Sequence, residues 1–314
     1  MITDKIKERA KYIDEVIDEY LPKETGPAVT VISAMNYSIH VGGKRLRPMM
    51  MMEAYRMFGG DKEEELLYPF MSAIEMIHTY SLCHDDLPAM DNDMVRRGKP
   101  STHAKYGEAI GILAGDGLLN YAFETATTAF ANIAKMNCDE TDRLDLMQRV
   151  ASAFRILAEK AGIYGMIGGQ TVDIESEDNP QGAVTMDTIK YIHENKTAAM
   201  IESSLMIGAV LAGATDEEAG VVERIGSDIG LAFQIQDDIL DVTGDNETLG
   251  KPVGSDEKNG KTTYVTLTGL DKAKEDASFV SKRAIANLRT LRGSDTEAGR
   301  FLCDLILLLV DRDR

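Results

Sequence analysis

Residues 84–93 read HDDLPAMDND and place Asp85, Asp86, Asp91 and Asp93 within nine positions. Like charges this close repel, and a hard divalent cation that prefers oxygen ligands would offset them. Pro88 disfavours the helical region for Leu87, so the helix before it loosens near Asp86. The LPAM segment is then expected to carry Asp91 back toward Asp85. Read alone, the cluster is equally a turn with surface acids. It is not an EF-hand, because the Gly and the terminal Glu are missing at the required spacing.

A second cluster, FQIQDDILD at 233–241, echoes the first. Asp237 and Asp241 are four apart and Asp238 is three before Asp241, which puts carboxylates about one turn apart on a helix face. Gln234 lies on the same side, one turn earlier. A solvated helix face explains this cluster as well as a metal site does. Two such clusters facing each other across a cavity would suit Mg2+, which keeps waters and shares substrate phosphates.

A bound diphosphate would need cations too. Residues 42–48 read GGKRLRP, in which two glycines precede Lys44, Arg45 and Arg47, and Pro48 suits the first position of the following helix. A helix N-terminus preceded by cations is an anion site. Arg96 and Arg97 follow the first acidic cluster and could simply pair with it. His78 lies seven residues before Asp85 and Ser81 four before it, so the three share a helix face. Lys196 and Thr197 sit in an Ala- and Met-rich helix, and Lys251 and Lys261 in or beside a glycine-rich stretch. Taken singly, each lysine reads as an ordinary exposed one.

The bulk properties narrow the class. A net charge of −18 argues against nucleic acid and against a polybasic membrane-surface protein, since both rely on Lys and Arg. An anionic ligand stays open, because it needs only a local cluster of cations. Cys83, Cys138 and Cys303 are odd in number with no CxxC pair, so a cytoplasmic, reducing setting fits better than a disulfide framework. The N-terminus MITDKIKERAKYIDE reads as no signal peptide, and LILLLV at 305–310 is too short to span a bilayer.

These side chains must be positioned by helices. The spacing predicts helices over 4–20, 27–41, 48–58, 63–87, 104–133, 141–176 (interrupted near 162–169), 185–213, 216–243, 262–292 and 296–311, with no strong strand signal. In 63–87, Leu66, Leu67, Phe70, Met71, Ile74 and Ile77 recur at three- and four-residue steps. No composition shift marks a boundary, so one domain over 1–314 is expected. The polar stretch at 243–262 is a loop of ~20 residues, a length that is usually functional or disordered.

The ordered set GGKRLRP, DDLPAMDND with RRGKP, GQTVDI at 169–174, KT at 196–197 and QDDILD with LGK and GKTT resembles the trans-polyprenyl diphosphate synthases over nearly the whole chain, most of all the bacterial farnesyl type. The resemblance implies an all-α isoprenoid synthase fold, antiparallel helices around a central apolar cavity, and a homodimer. It implies that Asp85, Asp86 and Asp91, with Asp237, Asp238 and Asp241, bind three Mg2+ ions that hold an allylic diphosphate. Arg96, Lys196, Thr197, Gln234 and Lys251 match positions that bind the allylic substrate, and Lys261 in GKTT is grouped with them. Lys44, Arg47, His78 and Arg97 match positions that bind isopentenyl diphosphate. Asp85, Asp86, Asp91, Arg96, Lys196 and Asp237 are the catalytic set so implied. Met94 stands where many relatives carry another acid, and Asp311 lies near an end that is usually more basic.

In this family a bulky aromatic residue five before the first motif resembles a floor that stops growth near C15. Tyr80 and Ser81 lie five and four before Asp85, or about 6–7.5 Å below it along a helix. The expectation is farnesyl diphosphate. A geranylgeranyl synthase is the nearest alternative. A class I terpene cyclase would replace QDDILD with an Asn/Ser/Glu pattern, and a non-catalytic partner subunit would lose the acidic motifs.

Overall fold

The computed structural model describes residues 2–61, 64–177, 184–244 and 262–310. It is helical apart from one very short hairpin, as the all-α reading requires. The chain divides into two compact units. One comprises Met1–Met52 and Gly60–Phe154, the other Glu53–Gly59 and Arg155–Arg314.

The first unit is built on α4 (Glu64–Asp85) and α6 (Glu108–Ile133), preceded by α1 (Ile2–Tyr20), α2 (Val29–His40) and the start of α3 (Leu46–Met57). Buried residues surround much of α4, including Leu66, Phe70, Met71, Ile74 and Ile77. On α6 the buried positions Gly111, Ala114, Gly115, Leu118, Ala122, Ala126 and Ala129 are mostly small, so the two helix axes can come close. Pro69 lies inside α4 and cannot donate to the Glu65 carbonyl. Asn132 of α6 supplies the missing donor, with Nδ2 at 2.9 Å from that oxygen. α3 starts at Leu46, so Pro48 sits within its first turn and is not its first residue, as the spacing had implied.

Where the sequence carries no strong strand signal, β1 (Val95–Arg96) and β2 (Lys99–Pro100) pair antiparallel. Arg97 and Gly98 both have positive φ, the signature of a two-residue hairpin turn. Two strands of two residues leave no periodicity to read. The Tyr37 hydroxyl of α2 holds the hairpin through the Pro100 carbonyl at 2.8 Å. The predicted 104–133 helix is interrupted at Gly107 (φ +88°), which separates α5 (Thr102–Tyr106) from α6.

The second unit carries α8 (Met166–Glu177), α9 (Met186–Ile192), α10 (Ala199–Leu211) and α11 (Asp216–Thr243). It continues with α12 (Tyr264–Thr268), α13 (Leu270–Leu288) and α14 (Glu297–Val310), while α7 (Glu140–Ala161) straddles the two units. The predicted 185–213 helix contains a π-helical turn, His193–Ala198, and the predicted 262–292 helix breaks at Gly269. Thr215 and Glu218 form a reciprocal capping box at the start of α11. Ala232, Ile235 and Ile239 of α11 pack with Tyr264, Val265, Ala273, Ala277 and Val280 into an apolar core. Among the described residues, no helix is long and apolar enough to cross a membrane.

Candidate active site

In the first unit, α4 ends at Asp85 and the chain folds back, so that the Asp91 N–H donates to the Asp85 carbonyl at 2.9 Å. Asp85 is half-buried and Asp91 exposed, whereas Asp86 is only 2% exposed. Arg96 on β1 reaches the buried acid: its Nε donates to Asp86 Oδ1 at 2.9 Å, and its Nη2 contacts the same oxygen. Asp93 stands 3.5 Å from that guanidinium. Burial pushes the Asp86 carboxyl up, and the guanidinium opposes this only in part. A cavity of about 20 Å3 adjoins the pair, lined by Val41 and Leu82 as well as Ser38, Thr79, Ser101 and Thr102, with room for about one water.

The GGKRLRP segment divides its cations. Arg45 turns inward, and this corrects the expectation that Lys44, Arg45 and Arg47 form one anion patch. With φ at +51°, Arg45 donates from Nε to Asp14 (2.7 Å), from Nη1 to the buried Glu75 (2.7 Å) and from Nη2 to the Ile39 carbonyl (2.8 Å). Its donors are spent inside the protein. Lys44 is exposed. Arg47 has its Nε buried with no hydrogen-bond partner, an expensive arrangement unless a ligand oxygen meets it. Burial lowers the Arg47 pKa, Glu75 raises it and Arg97 lowers it further. Arg97 lies so close over Gly43 that a Cβ there would stand 2.7 Å from its Nη1, which explains the glycine. Burial holds His78 well below the usual imidazole range, and Arg47, Arg97, Arg45 and Arg96 reinforce the shift. His78 is therefore neutral at pH 7. The cations Arg47 and Arg97 thus cluster with a neutral His78.

Tyr80 is buried, and burial followed by Asp85 pushes its phenol up to about 12. The Ser81 hydroxyl donates to the His78 carbonyl of its own helix at 2.9 Å.

In the second unit, the π turn presents Lys196 and Thr197. Lys196 Nζ donates to Asp173 Oδ2 of α8 at 2.6 Å, and Thr197 Oγ1 donates to Gln234 Oε1 of α11 at 2.5 Å. Two glycines let neighbouring helices clamp this turn. A Cβ on Gly169 would lie 2.1 Å from the Lys196 nitrogen, and one on Gly230 would lie 2.3 Å from Ala198 Cβ. Asp237 and Asp241 of α11 are half-buried. Asp238 is buried, and its Oδ2 accepts the Tyr264 N–H of α12 at 2.8 Å. Lys251 and Lys261 lie outside the described residues. Asp173 escaped sequence reasoning as a partner of Lys196, although GQTVDI was a recognisable segment. Gly115 also escaped notice, because its role is visible only as a space.

Asp85 and Asp91 in the first unit, and Asp237 and Asp241 in the second, each offer carboxylate oxygens of the kind a hard cation takes, at partly accessible positions. Among the described residues, no three His, Cys, Asp or Glu side chains stand close enough to enclose a metal by themselves.

A family model described as polyprenyl synthetase matches residues 29–294. The chain is 42% identical over 301 residues to a farnesyl diphosphate synthase of Geobacillus stearothermophilus, covering 96% of this chain and 95% of the relative. It is 41% identical to a chloroplastic geranylgeranyl pyrophosphate synthase of Capsicum annuum, covering 98% and 78%. Among solved structures it is similar to a geranyltransferase from Helicobacter pylori complexed with magnesium and isoprenyl diphosphate. That match has a TM-score of 0.79 and 30% identity over 97% of this chain and 95% of the other. The chain belongs to the polyprenyl synthetase family.

Proposed function

We propose that the protein joins isopentenyl diphosphate head-to-tail to dimethylallyl and then geranyl diphosphate, giving (E,E)-farnesyl diphosphate, with residues 1–314 acting as one catalytic domain of a homodimer. In each cycle the allylic C–O bond breaks and diphosphate leaves. The double bond of isopentenyl diphosphate attacks the allylic cation, and a proton is then lost, to the released diphosphate.

The observation that carries this reading is the cluster of Arg47, Arg97 and a neutral His78 that lies two turns before the acidic end of α4, together with a buried Arg47 Nε that has no hydrogen-bond partner. Arg47, Arg97 and Lys44 bind the diphosphate of isopentenyl diphosphate, while His78 contributes a hydrogen bond and no charge. Lys196, Thr197, Gln234 and Arg96, with Lys251 and Lys261, bind the allylic diphosphate. The carboxylates of Asp85, Asp86, Asp91, Asp237, Asp238 and Asp241 hold Mg2+. When bound, Mg2+ neutralises charge on the leaving diphosphate and so favours ionisation. Apolar walls keep water from the cation.

Farnesyl and geranylgeranyl synthases are almost equally similar to this chain, so product length rests on Tyr80. Its buried ring lies one to two turns below Asp85 and stops growth at C15. The test supplies purified protein with Mg2+, labelled isopentenyl diphosphate and, separately, dimethylallyl, geranyl or farnesyl diphosphate. Products ending at C15 with an idle farnesyl reaction support the reading. Extension of farnesyl diphosphate to C20 keeps the chemistry and overturns the floor. No elongation in any reaction overturns the enzyme. Light scattering checks the homodimer.

A further inference from the structure

The Tyr80 ring is held by another ring. The imidazole of His84, one turn along α4, meets it in a T-shaped contact, with centroids 5.8 Å apart and planes at 83°. His84 is itself held by α6. Its Nε2 lies 3.1 Å from the Ile112 carbonyl, and since a carbonyl only accepts, Nε2 carries the proton. The same nitrogen is 3.7 Å from Asp116 Oδ1. Between these two residues α6 has Gly115. A Cβ there would stand 2.1 Å from His84 Nε2 and 2.3 Å from its Cδ2, so the ring fills the space that any other residue would occupy.

These contacts make a row: a socket at Gly115, a wedge at His84 and a ring at Tyr80. We propose that His84, seated over Gly115, is a positioning residue that sets product length by fixing the Tyr80 ring. The proposal rests on the reading of Tyr80 as the floor. It assigns no proton transfer to His84 and no contact between His84 and substrate. Two long helices thereby share the control of product length, although only one of them carries the floor.

The experiment uses the full chain with Mg2+, geranyl diphosphate and labelled isopentenyl diphosphate, and reads the ratio of C20 to C15 prenols after dephosphorylation. A ratio is insensitive to general damage that lowers the overall rate. His84→Ala removes the wedge and is expected to raise the ratio at least fivefold. Gly115→Ala fills the socket, expels the imidazole and is expected to change the ratio in its own right. In the double variant the added methyl meets an empty space, so its ratio should match that of His84→Ala. Such non-additivity is expected of residues acting through one contact.

Tyr80→Ala separates the two ideas. If it lengthens products while His84→Ala and Gly115→Ala leave the ratio unchanged, the positioning role is wrong and the floor stands. If the effects of His84→Ala and Gly115→Ala simply multiply, the row is wrong. If Tyr80→Ala itself leaves product length unchanged, the floor fails and the proposal falls with it. Should His84→Ala not fold, judged by circular dichroism, Gly115→Ala alone carries the decision.

Discussion

Arg96 is bound to Asp86, its Nε 2.9 Å from the acid's Oδ1, and the Asp86 side chain is 3% exposed. The guanidinium supplies the positive charge that a buried carboxylate requires. Both residues belong to the proposed substrate machinery, and under that proposal the binding of metal and diphosphate would loosen the contact.

Replacing Arg96 tests this directly. Arg96→Gln leaves a buried carboxylate without its cation and should cost about 3 kcal/mol of stability in EDTA. Added Mg2+ should restore more of the lost Tm in this variant than it adds to the wild type. Differential scanning calorimetry with and without Mg2+ measures both, and equal Mg2+ responses would contradict a shared position.

Asp173 is expected to aim Lys196. Asp173→Asn keeps the shape and weakens the contact that now measures 2.6 Å. The allylic substrate's KM should rise several-fold and kcat should change little, because the ammonium remains but is less well held. Stability should fall by about 1 kcal/mol. Steady-state kinetics with geranyl diphosphate varied would show it.

Gly169→Ala puts a methyl against backbone atoms of Lys196, 2.1 Å away, and the clash cannot be relieved by a side-chain rotation. A loss of about 2–3 kcal/mol is expected, typical of overpacking, together with a drop in kcat/KM of tenfold or more. Urea denaturation and initial rates check the two effects.

Stability should depend on His78 with a definite sign. Its folded pKa lies well below the ordinary 6.5, because of burial and then of Arg47 and Arg97. Below about pH 6.5 the unfolded chain binds a proton that the native state refuses. Stability therefore falls as the pH drops, by up to about 1.4 kcal/mol per unit from this group. His78→Gln should flatten the profile between pH 7 and 5. An unaltered slope in urea titrations at those pH values would refute the assignment.

Much of this architecture is legible from spacing. The bounds of α11 coincide with the predicted 216–243, because an apolar repeat follows a Thr215–Glu218 capping box. α4 emerges at Glu64–Asp85 from a predicted 63–87, shortened where Pro88 acts. The aspartate clusters and Lys196–Thr197 are legible because their residue types are unusual beside apolar runs. What stays hidden is set by direction and space. Lys44, Arg45 and Arg47 look alike as letters, yet a left-handed backbone at Arg45 sends that side chain inward to Glu75. Arg96 and Arg97 are adjacent, and a hairpin too short for periodicity carries only Arg96 to Asp86. Gly107 and Gly269 interrupt predicted helices through positive φ, which composition does not record. Gly115 matters for the atoms it lacks.

The π turn at His193–Ala198 has a consequence in genetic terms. Such a turn is an α-helix carrying one residue more than regular winding accepts. An in-frame loss of a single codon just before Lys196 would let the helix close into ordinary α geometry, with the chain still folded. Relative to α9, Lys196 and Thr197 would then be rotated by about 100°. Asp173 and Gln234 would lose them together. At this segment selection must guard the count of residues as well as their identity.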